Sequence, residues 1–234
     1  MQNNAKITSR IGIIGAMAVE TEGLIAEMTE KKTHTVSGVI YTEGKLCGHE
    51  VVVATCGVGK VFAAICAEAM ILRFGVSALL NTGVAGGLSP ILEVGDVVVA
   101  DEVVQHDMNT TALGDPQGLL SGINVIKIAT DKHLQKALCE ATAELGYNGI
   151  VGTVASGDLF VAKEKTKARL AADFDAVACE MEGAAIGHVA FVNNIPFAVL
   201  RAISDGGDGM EFSEFVTLAA KTSVAITKEF LNRV

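Results

Sequence analysis

The sequence predicts an α/β fold, a three-layer α/β/α arrangement with a central mixed, twisted β-sheet between helical layers. Three observations predict it. Hydrophobic residues make up 50% of the 234 positions but aromatics only 5%, the signature of small β-branched strands packed on Ala-rich helices. Short apolar runs of strand length alternate with longer helical patterns along most of the chain. One early pair of runs, Val39–Leu46 and Val51–Thr55, flanks the turn Cys47-Gly48-His49 and reads as a β-hairpin, so the sheet is mixed rather than all parallel.

Residues 1–9 read as a polar, loosely held extension. Residues 10–234 read as one domain, because no repeat, low-complexity tract or linker divides them and a chain of this length can keep one continuous core. Ile11–Ile14 is a short buried strand and Ala18–Thr29 a helix. After the hairpin, Val61–Arg73 is an Ala-rich helix and Ala78–Asn81 a buried strand running into a Gly-rich turn. Val97–Val104 is a strand. His106–Gly122 is polar and irregular, the longest such stretch, and so a place for a binding loop. A strand at Val125–Ile128, a helix at Lys132–Leu145 and a strand at Ile150–Ala155 follow. The last part holds a helix near Lys163–Ala172, a strand at Ala176–Cys179 and a helix ending at Val192, before Pro196. Phe197–Ile203 is the last strand and Phe212–Leu231 the closing helix.

Composition narrows the function. Lys plus Arg is 18 against 27 Asp plus Glu, a net charge of −9. That field repels a phosphate backbone, so neither nucleic acid nor an anionic membrane surface is an expected partner. A mean hydropathy of +0.43 excludes a disordered chain. The five cysteines (Cys47, Cys56, Cys66, Cys139, Cys179) are odd in number and form no CxxC pair, which fits a reducing cytoplasm. Lys6 and Arg10 before the apolar run Ile11 to Val19 resemble a signal peptide, but the run is short, contains Gly12 and Gly15, and is followed by Glu20 and Glu22. It reads instead as the first strand entering a turn.

Several familiar motifs fail. Gly12 and Gly15 do not complete GxGxxG, and Gly57-Val58-Gly59-Lys60 lacks the first Gly and the final Ser or Thr of a P-loop, since Ala54 and Val61 stand there. Gly57 and Gly59 read as a tight strand-to-helix turn. His34, His49, His106, His133 and His188 show no ligand spacing, so no metal is expected. His188 reads as a packed or hydrogen-bonded helix residue. The pair His106-Asp107 reads either as a substrate contact or as a solvated pair.

Ligands of such sheets sit at the carboxyl ends of strands, which points to Gly15–Glu20, Gly83–Gly87, Ser156–Phe160, Glu180–Glu182 and Ser204–Asp205. Asp205 follows a nearly continuous apolar run, and desolvation there suits a proton donor. Glu180, Glu182, Glu20 and Glu22 have a simpler reading as acids favoured by the positive end of a helix. Acids at three separate strand exits nevertheless suit cleavage of a glycosidic bond, one protonating the leaving group and another activating water.

At these residues the sequence resembles the methylthioadenosine/S-adenosylhomocysteine nucleosidases of the nucleoside phosphorylase and nucleosidase superfamily. The matching segments are Ile11-Gly-Ile-Ile-Gly-Ala-Met17 with Glu20, Gly57-Val-Gly-Lys60, Asn81-Thr-Gly-Val-Ala-Gly-Gly87, Val94-Gly-Asp-Val97, His106-Asp107, Ser156-Gly-Asp158, Glu180-Met-Glu182 and Arg201-Ala-Ile-Ser-Asp205. They stand in the family's order from residue 11 onward. The resemblance implies a phosphorylase/hydrolase-like fold and hydrolysis of an adenine nucleoside without metal or cofactor. It implies that Asp205, aided by Ser204, protonates adenine N7, and that Glu20, with Arg201 nearby, orients and deprotonates water. Glu182 would bind the ribose hydroxyls, with Met181 against the sugar. Phe160 and the backbone of Val161 would hold adenine, Ala85 and Gly86 would line the pocket, and Phe212 would enclose the 5′-alkylthio group. A homodimer is implied, the neighbouring subunit completing the 5′ pocket; the early hairpin and the His106–Gly122 loop are the segments considered for its interface.

The sequence departs from that family at Val84, where many relatives have Ser, at Ala18-Val19 before Glu20, around Leu113-Gly-Asp-Pro-Gln-Gly118, and at Gly206-Gly207-Asp208-Gly209-Met210. The last two bear on the 5′ substituent rather than on reaction type. The alternatives are a purine nucleoside phosphorylase, an aminodeoxyfutalosine hydrolase of the same family, and a non-catalytic ligand-binding relative. Glu20 at the water site would repel phosphate, and retention of Glu20, Glu182 and Asp205 together argues against the non-catalytic relative.

Overall fold

The computed structural model of the chain describes residues 10–205 and 209–234; the expected extension over 1–9 and the altered stretch at 206–208 lie outside the described residues. The elements run β1 (Ile11–Gly15), α1 (Ala18–Glu27), β2 (Thr29–Val36), β3 (Val39–Leu46), β4 (His49–Thr55), α2 (Lys60–Phe74), β5 (Ala78–Gly87), β6 (Val97–Gln105), β7 (Lys127–Ala129), α3 (Lys132–Glu144), β8 (Gly149–Ser156), α4 (Glu164–Phe174), β9 (Ala176–Glu180), α5 (Gly183–Val192), β10 (Phe197–Asp205) and α6 (Gly209–Leu231). A 3₁₀ turn at Thr111–Leu113 interrupts the long loop between β6 and β7.

The strands form one mixed sheet in the order β10-β6-β8-β9-β5-β1-β4-β3-β2, with β7 on β6 and β10 also paired to β5. That extra pairing closes β10, β6, β8, β9 and β5 into a ring, from which β1, β4, β3 and β2 extend. Strand alternation divides the core between two helical layers. Ile11 and Ile13 face one cluster with Leu24 of α1, Leu134 and Leu138 of α3 and Phe230 of α6. Ile14 faces the other, with Ala63, Cys66 and Met70 of α2 and Ile186 of α5. α4 covers β8 and β9. Among the described residues no helix is long and apolar enough to cross a membrane.

The structure departs from the sequence reading at several elements. Residues 29–36, read in part as the end of the first helix, form β2, which pairs antiparallel with β3 at the edge of the sheet. Seven of its eight residues are exposed, so it carries no alternating apolar signal. The Gly-rich stretch after Asn81 is not a turn but the second half of β5. Its first half pairs with β1, its last two residues pair with β9, and β10 lies along nearly all of it. Gly83 serves close approach there: a Cβ would sit 2.4 Å from Glu20 Oε1 and 2.8 Å from Arg201 Nη1. β7 is only three residues long and starts two residues later than expected. α6 begins at Gly209 rather than at Phe212.

Candidate active site at the strand ends

The carboxyl ends of β1, β5, β9 and β10 converge on a cavity of about 360 Å³. Of the residues expected at the site, Glu20, Ala85, Gly86, Phe160, Val161, Met181, Glu182, Ser204, Asp205 and Phe212 line it. Arg201 does not; it lies buried beneath the floor. The sequence reading missed Val58 and Cys179 as lining residues; Ala16, Met17, Val84 and Leu159, which also line the cavity, lie within the strand-exit stretches it pointed to. Glu180, which it singled out only as an acid at a strand exit, also lines the cavity.

Glu20 is held by backbone on three sides. It stands in the first turn of α1, where its Oε2 accepts from Ala16 N at 2.7 Å and Met17 N at 2.9 Å, and its Oε1 accepts from Val84 N at 3.0 Å. The helix-terminus reading and the functional reading are therefore both physically satisfied by one geometry. Burial raises the Glu20 carboxyl above its ordinary range, against the pull of Arg201 and the three amides. A carboxylate so placed is fixed in direction and takes up a proton more readily than an exposed one.

Arg201 organises the other two acids. Its guanidinium donates to Glu180 and to Asn81 Oδ1, and lies 4.0 Å from Glu182 Oε2. Glu180 also accepts from Ser156 Oγ and from the amides of Glu182 and Gly183, so it closes the start of α5. Burial opposes charge on Glu180, but Arg201 and these donors outweigh it and hold the carboxyl below its usual range. Glu182 has a single amide partner, Gly59 N at 2.8 Å. Burial and the neighbouring Glu180 push it up to about 7. Two acids two positions apart are thus shifted in opposite directions, because one holds the arginine directly and the other only at 4.0 Å.

Opposite them, Ser204 Oγ donates to Asp205 Oδ2 at 2.8 Å, and Asp205 is 2% exposed at the end of a fully buried strand. The rim is apolar. Phe160 and Phe212 meet edge to face with ring centroids 5.7 Å apart, and Val58 and Leu159 are exposed beside them.

The remaining histidine expectations resolve differently. His188 is half-buried on α5, with Nδ1 3.4 Å from Gln105 Nε2, as read from sequence. His106 is buried rather than solvated; it is not among the residues that line the cavity, and it packs on Gly157. Asp107 pairs with Lys60 at 2.7 Å outside the cavity.

The sequence model of the phosphorylase superfamily matches residues 10–232. The chain is 42% identical over 231 residues to a 5′-methylthioadenosine/S-adenosylhomocysteine nucleosidase of Haemophilus influenzae, covering 96% of this chain and 99% of the relative. The structure of an S-adenosylhomocysteine nucleosidase from Streptococcus pyogenes in complex with 5-methylthiotubericidin matches with a TM-score of 0.94 and 34% identity, covering 99% of each chain. A futalosine hydrolase of Helicobacter pylori matches with a TM-score of 0.93 and 33% identity, covering 97% of this chain and 98% of that one.

Proposed function

The chain belongs to the phosphorylase superfamily, and from that premise we propose that it hydrolyses the N-glycosidic bond of 5′-methylthioadenosine and S-adenosylhomocysteine, releasing adenine and the thioribose. The observation that carries hydrolysis over phosphorolysis is the charge of the pocket. Its described lining holds three glutamates and an aspartate and no Lys or Arg, while Arg201 below is bound to Glu180 and Asn81. The amides of Ala16, Met17 and Val84, which an anion would want, are taken by Glu20. A phosphate dianion meets repulsion there; a water molecule does not.

In the mechanism we assign, Asp205 gives its proton to adenine N7 while Ser204 holds its other oxygen. The C1′–N9 bond breaks and its electron pair leaves with adenine. The sugar becomes oxocarbenium-like, and the carboxylates of the floor stabilise the developing positive charge. Glu20 takes a proton from water as the water oxygen bonds to C1′. Exchange with solvent then resets Asp205 and Glu20. Glu182 accepts from the ribose hydroxyls, Met181 lies against the sugar, Phe160 and the Val161 backbone hold the base, and Phe212 covers the 5′ substituent. Ala85 and Gly86 leave room for the nucleoside.

The assembly we assign is a homodimer in the cytoplasm. Val61, Phe62 and Ile65 are exposed on α2, and Leu113 in the β6–β7 loop is 82% exposed; exposed apolar side chains gathered on one helix suit a subunit interface. The five free thiols suit a reducing compartment.

The test is purified protein with methylthioadenosine, with and without phosphate, followed chromatographically. Adenine and free methylthioribose without phosphate are expected. Adenine with a sugar phosphate, appearing only with phosphate, would instead make the protein a phosphorylase. Turnover of aminodeoxyfutalosine alone would move it to that substrate.

A further inference from the structure

Three residues beside the cavity bond one another in a closed ring, yet none of them lines it. The turn from β4 to α2 needs Gly57 and Gly59 at φ of 93° and 103°, which glycine adopts without strain. That conformation aims Gly59 N at Glu182 Oε1. The next amide, Lys60 N, donates to Asp158 Oδ1 at 2.8 Å. The Lys60 ammonium turns the other way, to Asp107 Oδ1 at 2.7 Å and Gln105 Oε1 at 3.2 Å. Asp107 Oδ2 closes the ring by accepting from Asp158 N at 2.9 Å.

The ring adjoins the cavity in sequence on two sides, two residues after Val58 and one before Leu159. Lys60 follows Gly59, the amide partner of Glu182, and Asp158 precedes Leu159, which begins the segment around Phe160. Burial opposes charge on Asp107, but Lys60 and the Asp158 amide outweigh it and hold the carboxyl below its usual range. Beneath the turn the His106 ring lies so close that a Cβ on Gly157 would sit 2.3 Å from Nε2. Burial lowers the pKa of this histidine and so favours its neutral form.

We propose that Lys60, Asp107 and Asp158 are positioning residues for the glycosidic cleavage, a strap that keeps Gly59 N–H on Glu182 and the Leu159–Val161 segment against the base. The strap rests on the roles given above to Glu182 and Phe160. It joins the sugar-binding and base-binding sides of the pocket through Asp107, a residue that touches neither.

The test compares wild type with Asp107→Asn, Lys60→Met, their double variant and the conservative Lys60→Arg, using methylthioadenosine from pH 5 to 9 with Tm measured alongside. A misplaced binding group raises KM before it slows chemistry, so each neutralising single variant should raise KM about tenfold and change kcat less than about threefold. The double variant should cost no more than about threefold beyond the worse single, because the residues act as one unit. Lys60→Arg should restore most of the affinity.

The pH profile separates positioning from mere support. Glu182 faces Glu180 and Glu20, which oppose its charge, and Arg201 and Gly59 N–H, which favour it. The variants loosen only the last, so the acidic limb of kcat/KM should move to higher pH. An unchanged KM and limb in either single variant, or a loss that follows Tm with the limb unmoved, overturns the strap. Wild type that releases no adenine would remove the functional reading, and the strap with it; active wild type with unaltered variants removes the strap alone.

Discussion

The floor and the rim of the cavity are built on opposite plans. On the floor, Glu20, Glu180, Glu182 and Asp205 are each at most 8% exposed, and each is tied to backbone amides, to a neighbouring hydroxyl or to Arg201. On the rim, Val58, Leu159 and Phe160 are about half exposed and rest on loops. The floor stands on strand ends and helix starts that cannot move without breaking the sheet, and it holds the reacting groups in fixed directions. The rim touches the substrate by apolar contact, which tolerates variation in shape. Reaction type belongs to the first region and substrate preference to the second.

The comparison predicts its largest effect at Asp205. Asp205→Asn keeps shape and the bond from Ser204 but has no acidic proton, so kcat should fall about 10²–10⁴-fold while KM stays close to wild type. Steady-state adenine release, with ligand binding by calorimetry, checks it. Normal turnover would place the acid elsewhere and break the assignment of chemistry to the floor.

Arg201 comes next, with an effect on folding as well as rate. Arg201→Met leaves Glu180 buried without its cation. Removing one partner of such a pair typically costs about 3–5 kcal/mol, because the other charge stays desolvated. Denaturant unfolding at neutral pH should show that loss, and it should shrink as the pH falls and Glu180 becomes protonated. A loss independent of pH would mean that Arg201 stabilises by packing alone.

Glu182 supplies a test with the opposite sign in pH. Its folded carboxyl is raised from 4.5 to about 7, so the folded state binds the proton more tightly than the unfolded chain. Stability is therefore highest, as far as this group is concerned, below its unfolded pKa. It is lost progressively as pH rises from about 4.5 towards 7. Glu182→Gln removes that cost and should be more stable than wild type at pH 8 by roughly 3 kcal/mol, with little difference at pH 4. It should also bind the nucleoside worse, because the amide cannot accept from the ribose hydroxyls as a carboxylate does. Equal stabilities across the whole range would show that Glu182 is not strained by its burial.

How much of this was legible in the sequence follows the same division. β10 is apolar along most of its length and wholly buried, so both the strand and the acid at its end could be read directly. β2, Thr-Glu-Lys-Lys-Thr-His-Thr-Val, is a strand only because β3 offers it hydrogen bonds, and nothing in its own residues says so. The glycines of β5 read as a turn because glycine usually marks one; here Gly83 yields space to Glu20 and Arg201. Each floor acid was visible singly. The pairing of Arg201 with Glu180 was not, because 21 positions separate them and neither lies in a shared local pattern. Val58 gave no signal as a lining residue, since an exposed apolar residue on a loop is ordinary until the cavity beside it is known, and Leu159 was visible only as part of the strand exit Ser156–Phe160.

The smallest effect belongs to the rim and tests the division most sharply. Phe212→Ala removes a ring that meets Phe160 edge to face, an interaction worth about 0.5–1.5 kcal/mol beyond burial. KM for methylthioadenosine should rise by about three- to tenfold with kcat nearly unchanged, the factor that a loss of about 0.7–1.4 kcal/mol of apolar contact produces. The loss should be smaller for adenosine, which has no alkylthio group to cover. An equal loss on both nucleosides would place Phe212 against the base rather than the 5′ substituent. A loss in kcat would show that the rim shares in the chemistry, and that the separation between the two regions is not a separation of function.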